Sequence, residues 1–238
     1  MAKRIFAVAI CLLALMSVTL HSYAQNANPG VIPPKASPYG HTYGEWSARW
    51  WQWAYSIPVP VSPLFDETGA AAGSGQSGPV WFLAGVFNVS GAAERTVTVP
   101  HGKALFIPML NAEWDNLCPP NDPPLGTDAL RALVIGAIDT VTDMRCEIDG
   151  VSQGDLGTAL TSPYRATSPV FTVTFPEDNV FQAFGCDVAP GAYGPFVADG
   201  VYLMVAPLRA GNHTIHFTAS AYGGGFVLDI TYHLTVGK

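Results

Sequence analysis

Tyr43-Gly44-Glu45-Trp46-Ser47-Ala48-Arg49-Trp50-Trp51-Gln52-Trp53-Ala54-Tyr55-Ser56-Ile57 holds four of the six tryptophans of this 238-residue chain. Tyr43, Trp46, Trp50, Trp53, Ala54 and Ile57 recur at helical spacing, and Glu45, Arg49, Gln52 and Ser56 form a polar stripe with an i,i+4 ion pair on offer. Thr42 and Glu45 stand at capping-box spacing, in which the hydroxyl takes an orphan backbone N–H and the carboxylate reaches back to the cap. Pro58 stops the helix. The stretch predicts a helix buried along one stripe. Trp46, Trp50 and Trp53 then belong to a core, and Trp51 with Tyr55, one turn apart on a flanking face, is the pair expected to be exposed for stacking on a sugar ring.

Upstream, Lys3 and Arg4 precede an apolar run from Ile5 to Leu20 and the small-x-small pattern Ser22-Tyr23-Ala24. This is the pattern of a secretory signal peptide over residues 1–24, which predicts a secreted or periplasmic protein. Residues 25–41 read as an extended arm, and 42–238 as a single domain. No later stretch is apolar for long enough to span a bilayer. Removing Lys3 and Arg4 from the 11 basic residues, against 18 acidic ones, leaves a net charge near −9. Without a basic patch, that charge argues against nucleic acid or anionic membrane as partner.

Downstream, the period changes to that of strands. Val80 to Phe87, Arg95 to Val99, Lys103 to Met109, Met144 to Ile148, Pro169 to Phe175, Val201 to Leu208, Thr214 to Ser220 and Phe226 to Val236 are rich in β-branched and aromatic residues between turn signals. A second helix is expected from Asp128 to about Asp143, capped by Thr127. Val180 to Phe184 reads equally as strand or helix. The pattern predicts a mainly β protein: an antiparallel β-sandwich or jelly roll with the N-terminal Trp-rich helix and one inserted helix.

Several stretches resemble an uncharacterised family of exported bacterial proteins. They are Tyr-Gly-Glu-Trp-Ser-Ala-Arg-Trp-Trp-Gln-Trp from Tyr43, Gly-Pro-Val-Trp-Phe-Leu-Ala-Gly from Gly78, Val-Pro-His-Gly-Lys-Ala-Leu-Phe-Ile-Pro from Val99, Pro-Glu-Asp-Asn from Pro176, Pro-Leu-Arg-Ala-Gly-Asn-His-Thr-Ile-His-Phe from Pro207, and Asp-Ile-Thr-Tyr-His-Leu-Thr-Val from Asp229. The resemblance carries no activity to transfer. Members of the family often have cysteines where this chain has Ser74 and Val97, so no disulfide transfers either.

Three cysteines lie beyond the leader, Cys118, Cys146 and Cys186, and none has a C-x-x-C partner. In an exported protein an odd count allows one disulfide and one thiol. Cys118 with Cys146, which bracket the second helix, is the expected bond, with the other pairings open.

Two constellations carry potential chemistry. If the chain stays extended past Met109, Asn111, Glu113 and Asp115 share one face, and their oxygens suit calcium or ligand hydroxyls. The competing reading is that these side chains, with Asn116, Asn121 and Asp122, satisfy turn backbone groups. In the C-terminal hairpin, matching the core faces puts Thr218 opposite Asp229, His216 opposite Thr231 and Thr214 opposite His233. His216, His233 and Asp229 would then be diagonal neighbours able to hold a transition metal, or simply a solvated sheet face. His213 has the opposite parity. Glu45 with Glu113 would make a glycosidase pair only if the two face one cleft. No G-x-S-x-G elbow or phosphate loop is present.

With no coherent catalytic set, the sequence favours a non-catalytic surface, matrix or carbohydrate-binding module without a cofactor, whose partner is a polysaccharide or cell-surface component. The alternatives are a metal-dependent hydrolase using the Asn111 to Asp122 loop or the hairpin histidines, and a subunit of an exported assembly.

Overall fold

The computed structural model describes residues 30–87, 91–118 and 120–237. The leader and residues 25–29 of the arm lie outside the described residues. The Trp-rich stretch is helix α1, Tyr43–Tyr55, and it begins with the complete capping box: Glu45 N donates to the Thr42 hydroxyl and Thr42 N donates to the Glu45 carboxylate at 2.7 Å. Ser56 ends it, ahead of Pro58.

Ten strands follow among the described residues: β1 (Val80–Phe82), β2 (Ala92–Val99), β3 (Ala104–Trp114), β4 (Thr142–Ile148), β5 (Val151–Ser152), β6 (Arg165–Thr167), β7 (Phe171–Phe175), β8 (Gly191–Val205), β9 (Gly211–Ala221) and β10 (Phe226–Val236). Helix α2 (Thr127–Ile138) separates β3 from β4, and the single turn α3 (Val180–Ala183) separates β7 from β8. The strands form two sheets, ordered β1-β3-β8-β6 with β7 also on β8, and β2-β10-β9-β4-β5. They pack as the expected sandwich. Two pairings, β1 with β3 and β2 with β10, are parallel, so both sheets are mixed rather than purely antiparallel.

The first sheet is covered on both faces. Leu105, Ile107, Met109, Val201, Leu203 and Val205 point to the second sheet and meet Val99, Ile148, Ile215, Phe217, Ile230 and Leu234. Phe106, Phe196, Ala198, Tyr202 and Met204 point the other way, to α1. β8 is thus buried on both sides from Phe196 to Val205, which is why its sequence lacks alternation and reads as a strand only over its last part. α1 approaches β6 so closely at Gly44 that a Cβ there would overlap the Thr167 carbonyl oxygen.

Other boundaries moved for local reasons. Thr127 is the first helical residue of α2, with Gly126 as its cap, and α2 stops at Ile138 because β4 begins four residues later. Val180–Ala183 settles as a helix because the Asn179 side chain accepts from the N–H groups of Phe181 and Gln182. The arm, from Gly30 on, docks on β8, with Ile32 N donating to Met204 O at 2.7 Å.

Inside the second sheet, Arg95 is 1 % exposed and reaches carbonyls of Pro63, Asp66, Ala84 and Gly85 and the Tyr232 hydroxyl. That set of acceptors satisfies the donors of a buried guanidinium, and it fixes the segment before β2 to β10.

The disulfide corrects the expected pairing: it joins Cys118 to Cys186, with Cα atoms 5.8 Å apart. Cys146 is on an inward position of β4, between the sheets, whereas Cys118 and Cys186 are together beside α1 and α3 on the other side of the first sheet. Burial pushes the Cys146 thiol up to about 12. Mass mapping of the unreduced protein should therefore recover a Cys118–Cys186 peptide pair, and Cys146 should resist alkylation at pH 8 until the protein is denatured. Rapid labelling of Cys146 in the native state would contradict this placement. Gly44→Ala should cost on the order of 1–3 kcal/mol, as over-packing does, and a melting temperature equal to that of the parent protein would show that α1 is not seated this closely.

Candidate functional site

Ser47, Trp51 and Tyr55 are spaced four apart on α1 and face the first sheet together. Beneath them are polar residues that would be out of place in an ordinary core, and a β-bulge accounts for their position. β3 alternates regularly through Ala104 to Pro108, but its pairing with β8 slips between Pro108 and Leu110. Met109 and Leu110 both turn toward the second sheet. The parity of every later residue is reversed, and Asn111, Glu113 and Asp115 come to lie on the helix side of the strand.

The contacts form a polar seam. The Ser47 hydroxyl donates to the Tyr202 hydroxyl at 2.7 Å, and the Tyr55 hydroxyl donates to Glu113 Oε1 at 2.8 Å. Gly200, opposite Asn111 in the ladder, makes room: a Cβ there would lie 2.6 Å from the Asn111 Cβ and 2.8 Å from the Tyr202 hydroxyl. Trp51 Nε1 and Asn111 Nδ2 are sealed from solvent and have no hydrogen-bond partner, although both lie near enough to the Tyr202 hydroxyl to influence its ionisation. A buried N–H left in this state costs about 1–3 kcal/mol.

The end of the seam carries a carboxyl pair. Burial, and then the charge of Asp115, hold Glu113 well above the usual carboxyl range. Burial also raises Asp115, opposed by the backbone N–H groups of Leu117 and Cys118, which favour its anion. Glu113 Oε2 is buried without a donor. An ionised Glu113 would leave that oxygen unsatisfied, whereas a protonated Glu113 donates to Asp115 and removes the repulsion. The pair therefore favours holding a proton between its two carboxyls, with Glu113, the more strongly raised, as its preferred seat. The same burial, with Glu113 alongside, raises Tyr55 well above the ordinary phenol range, so it stays a donor.

This pair opens on a pocket of about 340 Å³ lined also by Trp114, Cys118, Asn121, Leu125, Leu133 and Phe181. The disulfide at Cys118 fixes the loop after β3 to the end of α3. Asn116 braces the loop from inside, bonding Leu125 N and O and the Asn121 side chain. The turn-satisfying role thus belongs to Asn116 and to Asp115, whose carboxylate accepts from Leu117 N, while Glu113 has the buried seam as its surroundings.

The other expected residues are placed as follows. Trp51 and Tyr55 are 3 % and 4 % exposed, with ring centroids 4.9 Å apart, so they are an internal pair and not a stacking platform. The flanking face that should have been open is covered by the seam and by Phe175, Phe181 and Phe196. Glu45 and Glu113 do not share a cleft: Glu45 lines a separate groove of about 810 Å³ with His41, Arg49, Gln52 and Tyr193. Three of that groove's polar side chains have contacts within the protein: Glu45 caps the helix, Gln52 donates to the Thr172 carbonyl, and Arg49 lies over the Trp46 ring in place of the anticipated ion pair. The hairpin register is as the core faces require, with Asp229 opposite Thr218, Thr231 opposite His216 and His233 opposite Thr214. Within it His216 pairs with Asp229 at 2.8 Å, but His233 turns to Glu94 on β2 at 2.7 Å. The three do not converge, and among the described residues no group of three or more His, Cys, Asp or Glu side chains is arranged to hold a metal.

Ser47, Tyr202 and Phe181 were not singled out from the sequence. Tyr202 and Phe181 come from distant segments with no local pattern. Ser47 carried one weak signal, a hydroxyl four residues before Trp51 inside an apolar helix. Comparison of the chain with protein-family models, curated proteins and solved structures gave no match.

The raised value of Glu113 fixes the sign of a pH effect. Its contribution to stability is whole below the unfolded value near 4.3 and is lost as pH rises through the folded value; the raised Asp115 acts with the same sign. In Glu113→Gln the amide oxygen can still accept from Tyr55 and there is nothing to ionise. Chemical denaturation between pH 4 and 8 should show the variant gaining on the parent protein as pH rises. Parallel pH profiles would contradict the assignment.

Proposed function

We propose that the protein is an exported β-sandwich binding module whose ligand is a hydroxyl-rich carbohydrate of a cell surface or matrix, held at the Glu113 and Asp115 pocket. The observation that carries this reading is the carboxyl pair at the pocket wall. With the Glu113 proton committed to Asp115, the pair presents to the pocket the acceptor oxygens of Asp115, which take a hydrogen bond from a sugar hydroxyl. Asn121 adds an amide that both donates and accepts, and Leu125, Leu133 and Phe181 give the apolar wall on which the C–H face of a sugar packs. Calcium suits the pair less well, because it takes six to eight oxygens and prefers ionised carboxylates. The disulfide is compatible with export to an oxidising compartment, and no helix among the described residues is long and apolar enough to cross a membrane.

The same pair supports a second reading, acid–base chemistry in an exported hydrolase, since a neutral acid next to an ionised carboxylate is what general acid–base catalysis uses. A glycosidase does not fit. Carboxyls that share a proton are closer than the roughly 5 Å or more that retaining and inverting glycosidases need.

A glycan array and calorimetric titration of its hits test the binding reading. The parent protein should retain a defined set of glycans, and Asp115→Asn should weaken binding by about tenfold to a hundredfold, the effect of losing one charge-assisted hydrogen bond. Retention of no glycan, or retention unchanged in Asp115→Asn, would remove it. Turnover of chromogenic esters that is lost in both Glu113→Gln and Asp115→Asn would establish the hydrolase instead.

A further inference from the structure

The groove between α1 and the paired ends of β7 and β8 holds a second set of polar groups, which the carboxyl pocket does not use. Its walls are fixed to each other, because the Gln52 amide on α1 donates to the Thr172 carbonyl on β7 at 3.0 Å. Trp46, whose indole N–H donates to the Pro38 carbonyl at 2.9 Å, sets the α1 side. The Arg49 guanidinium carbon lies 5.7 Å from the Trp46 ring centroid, and the His41 ring meets that indole edge-on at 5.3 Å. Glu45, the one acid in the lining, is drawn to the helix start, where the N–H and the hydroxyl of Thr42 both donate to the same carboxylate oxygen. Arg49 is left without a carboxylate. Its N–H groups, the His41 ring and the Tyr193 hydroxyl make no hydrogen bond to the described residues and stand open to solvent.

We propose that this groove binds a carboxylated sugar within an otherwise neutral glycan, with the carboxylate on the Arg49 guanidinium. A guanidinium resting on an aromatic ring keeps its planar N–H fork free, and that fork matches a carboxylate as a bidentate pair. The His41 ring and the Tyr193 hydroxyl both donate and accept, as sugar hydroxyls require. Pro169, Val170 and Pro195 give the opposite wall an apolar surface for the C–H faces of the rings. The lining follows α1 from Glu45 to Gln52, about 10 Å, with His41 beyond, so the groove is longer than one sugar ring. A single guanidinium beside Glu45, on a chain of net negative charge, disfavours a polymer charged on every ring. An extended peptide needs pockets for its alternate side chains, whereas this wall is open surface on which Val170 is 51 % exposed. From the carbohydrate reading this inference takes only the ligand's being a sugar; the residues are different.

The test titrates the full protein with a disaccharide of glucuronic acid linked to xylose, with the same disaccharide reduced at its carboxyl group, and with the peptide acetyl-Glu-Glu. The Arg49 side-chain N–H signals are followed by NMR and the affinities by calorimetry. The acidic disaccharide should shift the Arg49 signals and bind about tenfold or more tightly than its reduced form, the effect of one charge-assisted bidentate pair. Arg49→Gln should abolish that preference, and Arg49→Lys, which keeps the charge but not the fork, should restore only part of it. Arg49 is on the exposed stripe of α1, and the signals of the parent protein carry the test should either variant fail to fold. Asp115→Asn should leave the preference in place. Arg49 signals that do not move with the acidic disaccharide, equal affinity for the two disaccharides, or a preference that survives Arg49→Gln would each overturn the proposal. So would Arg49 signals that respond to the peptide alone. Glycan binding lost in Asp115→Asn and untouched by Arg49→Gln would overturn this inference and leave the carbohydrate reading of the carboxyl pocket standing. Binding lost in Arg49→Gln and untouched by Asp115→Asn would do the reverse.

Discussion

The hydroxyls of Ser47 and Tyr55, two turns apart on α1, each meet one polar partner on the sheet below, Tyr202 and Glu113. The rest of the contact is aromatic and close-packed, with Trp46, Trp50, Trp51 and Trp53 all buried. Burying an indole stabilises by roughly 4–6 kcal/mol before entropy is counted, at about 25 cal/mol per Å² of apolar area. That apolar gain is what allows polar groups to be carried into the interface, and each must then find a partner or be left at a cost. Two find partners. Trp51 Nε1 and Asn111 Nδ2 have only the Tyr202 hydroxyl within reach, and Glu113 Oε2 has no donor, which favours a proton on it.

The bulge at Met109 and Leu110 is the second constraint. It converts a strand with one apolar face toward α1 into one that presents Asn111, Glu113 and Asp115 to the helix. Without it those residues would face α2, Val197 and the second sheet, and no carboxyl pair would lie beneath Tyr55. The disulfide between Cys118 and Cys186 then holds the strand's exit against α3. In the chain-entropy description a bridge closing a loop of 68 residues contributes about 4 kcal/mol to the stability of the fold.

Much of the architecture was legible because local rules and tertiary structure agree. The capping box, the helix from Tyr43, the alternation of β10 and the register of the C-terminal hairpin all follow from spacing, since one face of each element is buried and the other is not. What was illegible lies where both faces are buried. β8 shows no alternation over Phe196 to Val205, so most of it was missed, and α1 gave no sign that its Trp51 and Tyr55 flank would also be covered. Asn111, Glu113 and Asp115 were grouped on one face, but which side that face looked toward depended on a bulge that leaves no trace, because Met109 and Leu110 end an unbroken apolar run from Ala104. The disulfide depended on which side of the first sheet each cysteine faces, and nothing in the spacing of three cysteines encodes that.

The account rests on Glu113 keeping its proton well above the ordinary carboxyl range, under Tyr55 and beside Asp115. Following the Glu113 side-chain carboxyl by carbon-13 NMR across pH tests this most directly. Glu113 should remain protonated well above the value near 4.3 of an unperturbed glutamate, and should move when Asp115 is replaced by asparagine. A titration at the ordinary value, unchanged in Asp115→Asn, would contradict the buried carboxyl pair and the site built on it.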